Sequence, residues 1–360
     1  MQKFLVIQTA FIGDVVLATG IIEKLHACFP AAEIDFLVRK GNEALLKDHP
    51  FLHEVLVWDK KKDKLRNLWG LCQRIRRTRY DKVINVQRFA ATGLLTAFSG
   101  ARETIGFDKN PLSRFFTKRI PHVVSYDLRS TSQREQAAGD RGSLPANDSG
   151  TTSRRRVAPK HEIDRNQTLI QAFTDDVPAR PRLYPSPSDY AKVQEYKGPA
   201  YITISPASVW FTKQYPKEKW VGFIDKVPPS YRIYLLGAPS DAAGCEEIRS
   251  AARHPSITIL SGKLSFLQSA ALMQDSVMNY VNDSAPMHFA SAVNAPVTAV
   301  YCSTIPAFGF GPLSDKKFIV ETKEPLECRP CGLHGYKACP LGHFKCAYQI
   351  ADEQLLASLE

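Results

Sequence analysis

KFLVIQTAFIGDVVLATGIIEKLHACFPAAEIDFLVR (residues 3–39) is the stretch that decides the fold. KFLVIQTA (3–10) is a short run rich in apolar and β-branched residues, and FIGD (11–14) is a turn. VVLATGIIEKLHACF (15–29) then carries apolar residues at helical spacing. Pro30 follows that helix, and EIDFLVR (33–39) reads as the next strand. Strand, helix and strand in this order form a βαβ unit, whose two strands must run parallel.

The pattern repeats outward from there. EVLVWD (54–59) is a strand, Leu65 to Thr78 a basic helical stretch, and KVINVQ (82–87) a strand. A second alternating series begins at YITISP (201–206) and continues through EKWVGFIDKV (218–227), YRIYLLG (231–237), CEEIRSAAR (245–253) and SITIL (256–260). It ends with SFLQSAALMQDS (265–276), VMNYVND (277–283), APMHFASAVN (285–294) and APVTAVYC (295–302). Residues 124–160 interrupt the two series. They are rich in Ser, Gly and Arg and poor in large apolar side chains, so they predict a disordered insertion. HEIDRNQTLIQAF (161–173) predicts a helix, and RPRLYPSPSDY (182–190) a linker between domains.

The chain of 360 residues is too long for one ordinary core, and a 44% hydrophobic, 23% charged composition is that of a soluble globular protein. The start lacks a signal peptide's cleavage region, and no apolar run approaches the ~18 residues of a membrane span. These features predict a cytoplasmic protein. The net charge of +11 is unevenly placed. Residues 1–122 hold 21 Lys and Arg against 12 Asp and Glu, whereas 201–360 hold 14 of each. Such asymmetry suits either an anionic partner of the first domain, be it nucleic acid, a membrane surface or a phosphorylated substrate, or simply a solvated basic surface.

Chemistry in parallel-sheet folds sits at the carboxyl ends of strands. Gly13 and Asp14 follow the first strand, where glycine admits close approach of a ligand and the carboxylate either caps the helix or faces the cleft. SPASVWFTKQYPKEKW (205–220) leaves a strand end with Thr212 and Lys213, a hydroxyl and an ammonium suited to phosphate, or else a capped turn with a surface lysine. NDSAPMH (282–288) ends a strand at Asp283 and Ser284 and opens a helix, with Pro286 expected at its first position. Free N–H groups there form an anion site, and Asp283 is expected to cap the turn and orient them. Met287 and His288 either pack or touch the ligand. Gly237 closes another strand of the same series.

Of the eight cysteines, Cys328, Cys331, Cys339 and Cys346 cluster with His334 and His343 among them. Their spacing permits a tetrahedral metal site, and a thiol cluster packing the C-terminal loop is the alternative. A nicotinamide dehydrogenase is disfavoured, because no G-x-G-x-x-G follows the first strand.

Three of these segments together resemble the heptosyltransferases of glycosyltransferase family nine. QTAFIGDVVLATGIIEKL (8–25) is similar to that family's N-terminal motif, PASVWFTKQYP (206–216) to its Lys-containing donor loop, and NDSAPMHFASAVNAPVTAVY (282–301) to its C-terminal signature. FGFGP (308–312) resembles the follow-on turn, and HEIDRN (161–166) the segment before the linker. The resemblance implies an α/β GT-B fold, two Rossmann-like domains with parallel sheets facing a cleft. The domains are expected at 1–180, binding acceptor, and 181–345, binding nucleotide sugar, with a tail helix over 346–360. The implied function is inverting, metal-independent transfer of heptose from ADP-heptose to the inner core of lipopolysaccharide, with no cofactor.

Asp14 becomes the expected general base. Thr212, Lys213, Gly237, Asp283, Ser284, Ala285, Met287 and His288 are the expected donor contacts, and Gly13, Lys60, Lys62 and Arg88 the acceptor contacts. Two departures stand out: Ala285 occupies a place usually taken by Gly, and KQYP replaces a run with a second basic residue. The expected partners are ADP-heptose, an anionic lipopolysaccharide-core acceptor and the cytoplasmic face of the inner membrane, not nucleic acid. Lys60, Lys61, Lys62, Lys64, Arg74, Arg76, Arg77 and Arg79 would meet that anionic surface. The competing readings are a non-catalytic nucleotide-sugar binder of the same fold and a basic nucleic-acid-binding protein.

Overall fold

The computed structural model describes residues 1–123 and 160–359, so the insertion expected at 124–160 lies, apart from Lys160, outside the described residues. The first half runs β1 (Lys3–Ile7), α1 (Ile12–Cys28), β2 (Glu33–Arg39), β3 (Glu54–Trp58), α2 (Lys64–Thr78), β4 (Lys82–Asn85), α3 (Ala90–Ala97), β5 (Glu103–Phe107) and β6 (Lys118–Ile120). After the short α4 (Glu162–Gln167) and α5 (Pro187–Val193) come β7 (Tyr201–Ser205), α6 (Lys217–Ile224), β8 (Arg232–Leu235), α7 (Ala242–Ala251), β9 (Ile257–Ile259) and α8 (Phe266–Gln274). The chain closes with β10 (Met278–Asn282), α9 (Ala285–Ala292), β11 (Val297–Tyr301), β12 (Lys317–Glu321), α10 (Lys345–Tyr348) and α11 (Asp352–Leu356).

Two six-stranded, all-parallel sheets result, in the orders β3-β2-β1-β4-β5-β6 and β12-β11-β10-β7-β8-β9. This is the doubly wound GT-B arrangement. Each order reverses at one place, between β1 and β4 in the first sheet and between β7 and β10 in the second. Ligand crevices of open parallel sheets open at such reversals, beyond the carboxyl ends of the strands. The three motifs singled out in the sequence leave β1, β7 and β10, three of the four strands that flank the reversals.

Alternation along β1 shows why its sequence is apolar throughout. Phe4 and Val6 enter one core with Val15, Ile21 and Leu25 of α1, while Leu5 and Ile7 face Leu68, Leu71, Cys72 and Ile75 of α2. A strand covered on both faces cannot alternate apolar with polar residues. The core that holds α1 continues into the second half through Met287, Ala290 and Ala292 of α9, so the two halves are packed together there. α1 is buried nearly all round for this reason.

Three expectations change. The helix expected over 161–173 is only α4 followed by a 3₁₀ turn at Gln171–Phe173. The Pro-rich stretch 182–190 is a crossing and then a helix: the Arg182 N–H donates to Thr19 Oγ1 (2.9 Å) and Tyr184 donates its hydroxyl to Glu23 (2.9 Å), after which Ser186 caps α5 and Pro187 opens it. The single tail helix is two short ones, whose Cys346, Ala347, Ile350 and Leu355 pack into the core of the second half with Trp220 and Phe223.

Candidate active site between the two sheets

Asp14 stands at the third position of α1. Its carboxylate accepts the N–H of Phe11 (3.2 Å), so it does cap the helix. That does not exhaust it. Burial and the neighbouring charge of Glu162 push its carboxyl up to about 6, against the opposing pull of the Phe11 N–H and of Arg88. A carboxylate raised by desolvation and, among the described residues, in no ion pair is suited to accept a proton.

Gly13, one residue before, is where the two halves meet. A Cβ placed on it would lie 2.8 Å from His288 Cδ2 and 3.9 Å from Ala285 Cα. Only hydrogen at this position lets the start of α1 approach the start of α9 so closely. The sequence motifs 8–25 and 282–301 are thus brought face to face, and Asp14 sits beside the contact. His288 is buried, and its Nδ1 has no hydrogen-bond partner among the described residues. Burial, reinforced by His161, pulls its imidazole down to about 3, so it is neutral at any working pH.

On the second sheet, Lys213 forms an ion pair with Asp283 (Nζ–Oδ2, 2.7 Å), and Thr304 donates its hydroxyl to the same oxygen (2.6 Å). Both side chains are largely covered. Asp283 therefore aims the ammonium and does not cap α9, which corrects the sequence reading. Ser284 is the residue before α9, with extended backbone and no side-chain cap. Pro286 stands second in the helix, not first, and has no N–H. The Met287 N–H is already given to the Ser284 carbonyl (3.1 Å). Among the described residues, the amides left for an anion are those of Ser284 and Ala285, fewer than expected.

Other donor candidates turn inward. Met287 is fully buried with its sulfur 3.3 Å from the Tyr301 hydroxyl, a packing role. Thr212 is buried too: its hydroxyl accepts from the Tyr336 N–H (2.7 Å) and from Ser303 (3.0 Å), which ties the donor loop to the Cys-rich tail instead of presenting it to phosphate. At Gly237 a Cβ would sit 2.9 Å from Asp241, so this glycine makes room for the turn after β8. A cavity of about 370 Å³ opens between the loops after β7 and β8, lined by Ala207, Ser208, Gln214, Lys217, Ser240 and Asp241 among others, but its lining includes neither Asp14 nor Lys213.

The acceptor candidates divide. Arg88 is exposed yet close enough for its charge to act on Asp14, His122 and His334. Lys60 donates to Thr9 at the carboxyl end of β1 (2.8 and 2.9 Å) and lies over the Trp58 ring. Lys62 stays exposed on the loop after β3, its N–H held by Asp59 (3.1 Å).

Residues not foreseen complete the site. Arg165 of α4 holds Glu162 (2.7 and 2.6 Å) and the carbonyls of Lys160 (2.6 Å) and Phe308 (3.1 Å). The Glu162 N–H donates to the Gly309 carbonyl (2.8 Å), and His161 Nε2 lies 3.0 Å from the Gly311 carbonyl. HEIDRN and FGFGP, two segments flagged separately in the sequence, are therefore one lock between the halves, and it sets the carboxylate that perturbs Asp14. His334 of the tail is pulled below the usual imidazole value by burial and by the cations Lys213 and Arg88. Cys331 donates its thiol to the Cys328 carbonyl (3.0 Å), and burial pushes the thiols of Cys331 and Cys346 up to about 11 and 12. Among the described residues, no three His, Cys, Asp or Glu side chains are gathered to hold a metal ion.

Residues 68–334 match the family model described as "Glycosyltransferase family 9 (heptosyltransferase)". Lipopolysaccharide heptosyltransferase 3 of Escherichia coli is 24% identical over 302 residues, covering 82% of each chain. The structure resembles that of the E. coli ADP-heptose lps heptosyltransferase II (TM-score 0.74, 19% identity, 99% of this chain and 97% of that one). It also resembles a family 9 glycosyl transferase from Veillonella parvula (TM-score 0.79, 20% identity, 99% and 96%). The chain belongs to glycosyltransferase family 9, the heptosyltransferases.

Proposed function

We propose that this enzyme moves heptose from ADP-heptose onto an acceptor of the lipopolysaccharide inner core, with inversion at the anomeric carbon and without a metal ion. The names of the E. coli relatives support the donor and acceptor classes. The observation that supports the mechanism is the apposition of Gly13 to His288 and Ala285, which brings the residue before Asp14 against the start of α9, two residues beyond Asp283 and the Lys213 it holds.

Inverting displacement needs a base on one side of the sugar and leaving-group stabilisation on the other. Asp14, ionised above about pH 6, takes the proton of the attacking acceptor hydroxyl as the new glycosidic bond forms. The bond to the β-phosphate breaks, and the charge that develops on ADP is met by Lys213 and the amides of Ser284 and Ala285 at the positive end of the α9 dipole. Asp283 and Thr304 hold the ammonium in place beforehand. His288, neutral and almost fully buried, stands against Gly13 at the seam of the two halves, its Nδ1 covered by protein. We assign the acceptor to residues 1–180, through Arg88, Lys60 and Lys62, and the nucleotide sugar to 181–345. The basic first half suits a phosphorylated acceptor carried on the cytoplasmic face of the inner membrane.

A thermal-shift panel of ADP, UDP, GDP and CDP tests the donor. Stabilisation by ADP above the other three is expected, and a preference for another nucleotide contradicts it. Transfer that persists after chelation is the matching expectation for the metal-free route.

A further inference from the structure

α2 is a two-faced helix, and among the described residues the flank that carries Leu65 and Trp69 is left exposed. Its inner stripe, Leu68, Leu71, Cys72 and Ile75, covers the first sheet beside Leu5 and Ile7. Advancing by 100° per residue, Leu65, Trp69, Gln73 and Arg76 line one flank, with Arg66 and Arg77 next to it. Leu65 is 78% exposed and Trp69 64% exposed. An isolated exposed apolar side chain needs no explanation, but a Leu and a Trp one turn apart on a basic helix do.

The charges around them have one sign. α2 contains Lys64, Arg66, Arg74, Arg76 and Arg77 and no acidic residue. Arg74 is neutralised by Glu54, whereas Arg66, Arg76 and Arg77 have no carboxylate partner among the described residues. The loop leading in adds Lys61 and Lys62, both exposed. α2 also starts at the carboxyl edge of β3, the edge that carries Asp14 and Arg88 farther along the sheet. The neighbouring α3, which packs on α2, ends at Phe98, 54% exposed.

We propose that this flank of α2 is a membrane-docking face: Leu65 and Trp69 enter the headgroup region of an anionic leaflet while Lys61, Lys62, Arg66, Arg76 and Arg77 lie over its charges. A short amphipathic helix with a Trp and Leu edge and a basic surround has the composition of an interfacial element. Charge complementarity selects anionic over zwitterionic lipid. Docking by α2 presents the mouth of the cleft to the leaflet, so a lipid-anchored acceptor is reached without leaving the bilayer. This deepens the reading of the acceptor as membrane-borne and rests on it.

The full chain is sedimented with vesicles of phosphatidylethanolamine and phosphatidylglycerol, and with vesicles of phosphatidylcholine, neither containing an acceptor. Partition into the phosphatidylglycerol vesicles at least tenfold above phosphatidylcholine is expected, weakening as salt is raised. The double substitution R76Q/R77Q is expected to lower it about thirtyfold, at about 1 kcal/mol per charge near a membrane surface. L65S/W69S is expected to lower it at least tenfold with melting temperature and ADP shift unchanged. Should L65S/W69S prove unstable, the fluorescence of Trp69 decides: a blue shift on vesicles that W69F abolishes supports insertion. Equal binding to both lipids, no binding to either, or full binding by the variants overturns the proposal, as does oligonucleotide binding through α2 that vesicles do not displace. An ADP shift without vesicle binding refutes docking alone, and vesicle binding without an ADP shift refutes the donor reading alone.

Discussion

The two halves are built on the same six-stranded parallel sheet, yet their charges at the facing edges are handled in opposite ways. The first half leaves a carboxylate without an ion-pair partner among the described residues: Asp14 has Phe11's N–H, a nearby Glu162, the more distant charge of Arg88 and partial burial, and its carboxyl rises to about 6. The second half pairs its cation in advance, with Lys213 fixed by Asp283 and Thr304. A proton acceptor gains from being poorly compensated, because its affinity for the proton rises. A stabiliser of leaving-group charge gains from being held still, because no reorganisation is then needed when the charge appears.

The strongest way to break this contrast is Asp14→Asn. It keeps the Phe11 hydrogen bond and removes the base, so transfer is expected to fall by ~10²–10⁴ with the ADP shift retained. The same variant should be more stable than the wild type above pH 6. A carboxyl whose folded value lies above its unfolded one binds more protons when folded, so its contribution to stability is lost as pH rises from about 4 through about 6. The gain in calorimetry is at most of the order of 3 kcal/mol. A loss of both transfer and stability would mean that Asp14 is a structural cap.

Lys213→Met comes next. Removing a fixed cation from the leaving-group side should cost ~10²–10³ in kcat. It also leaves Asp283 largely covered and uncompensated, so a stability loss of a few kcal/mol should accompany it in denaturant titration, in contrast to Asp14→Asn. Restoring stability with Lys213→Met/Asp283→Asn while transfer stays low would separate the two roles of the pair.

These residues were readable in the sequence because each follows a strand that is buried on both faces, and such strands announce themselves as apolar runs between turns. β1, β7 and β10 are of this kind. β6, the charged tripeptide KRI at the sheet edge, is not, since only its pairing with β5 makes it a strand. α3 (AATGLLTA) lacks a polar face, and α5 is hidden behind the prolines that precede it. The identities of Asp14 and Lys213 were legible, but their partners were not. Arg165 meets Phe308 across 143 residues and Asp283 meets Lys213 across 70, and nothing local in the sequence specifies those pairings. Hence Thr212 and Met287, placed by motif in the donor site, prove to be packing residues.

Smaller effects sharpen the picture. Gly13→Ala forces a methyl group to 2.8 Å from His288, so the halves must part by a few tenths of an ångström or His288 must turn. The expected cost is ~1–3 kcal/mol of stability, with a raised donor KM, read by thermal melts and initial rates. Gly309→Ala strains the lock behind Glu162, because Gly309 has a φ of +96° and a Cβ there would lie 2.6 Å from Arg165 and from the Lys160 carbonyl. A loss of ~1–2 kcal/mol is expected from the backbone alone, and a drift of the Asp14 carboxyl toward its ordinary value as the acidic neighbour loosens.

The most direct trial of the facing arrangement is the pH dependence of kcat/KM. The wild type should lose activity as pH falls through about 6, with a slope of one proton, and the residual activity of Asp14→Asn should show no such limb. An acid limb at the same pH in both proteins would contradict the assignment of Asp14 as the group that receives the acceptor's proton.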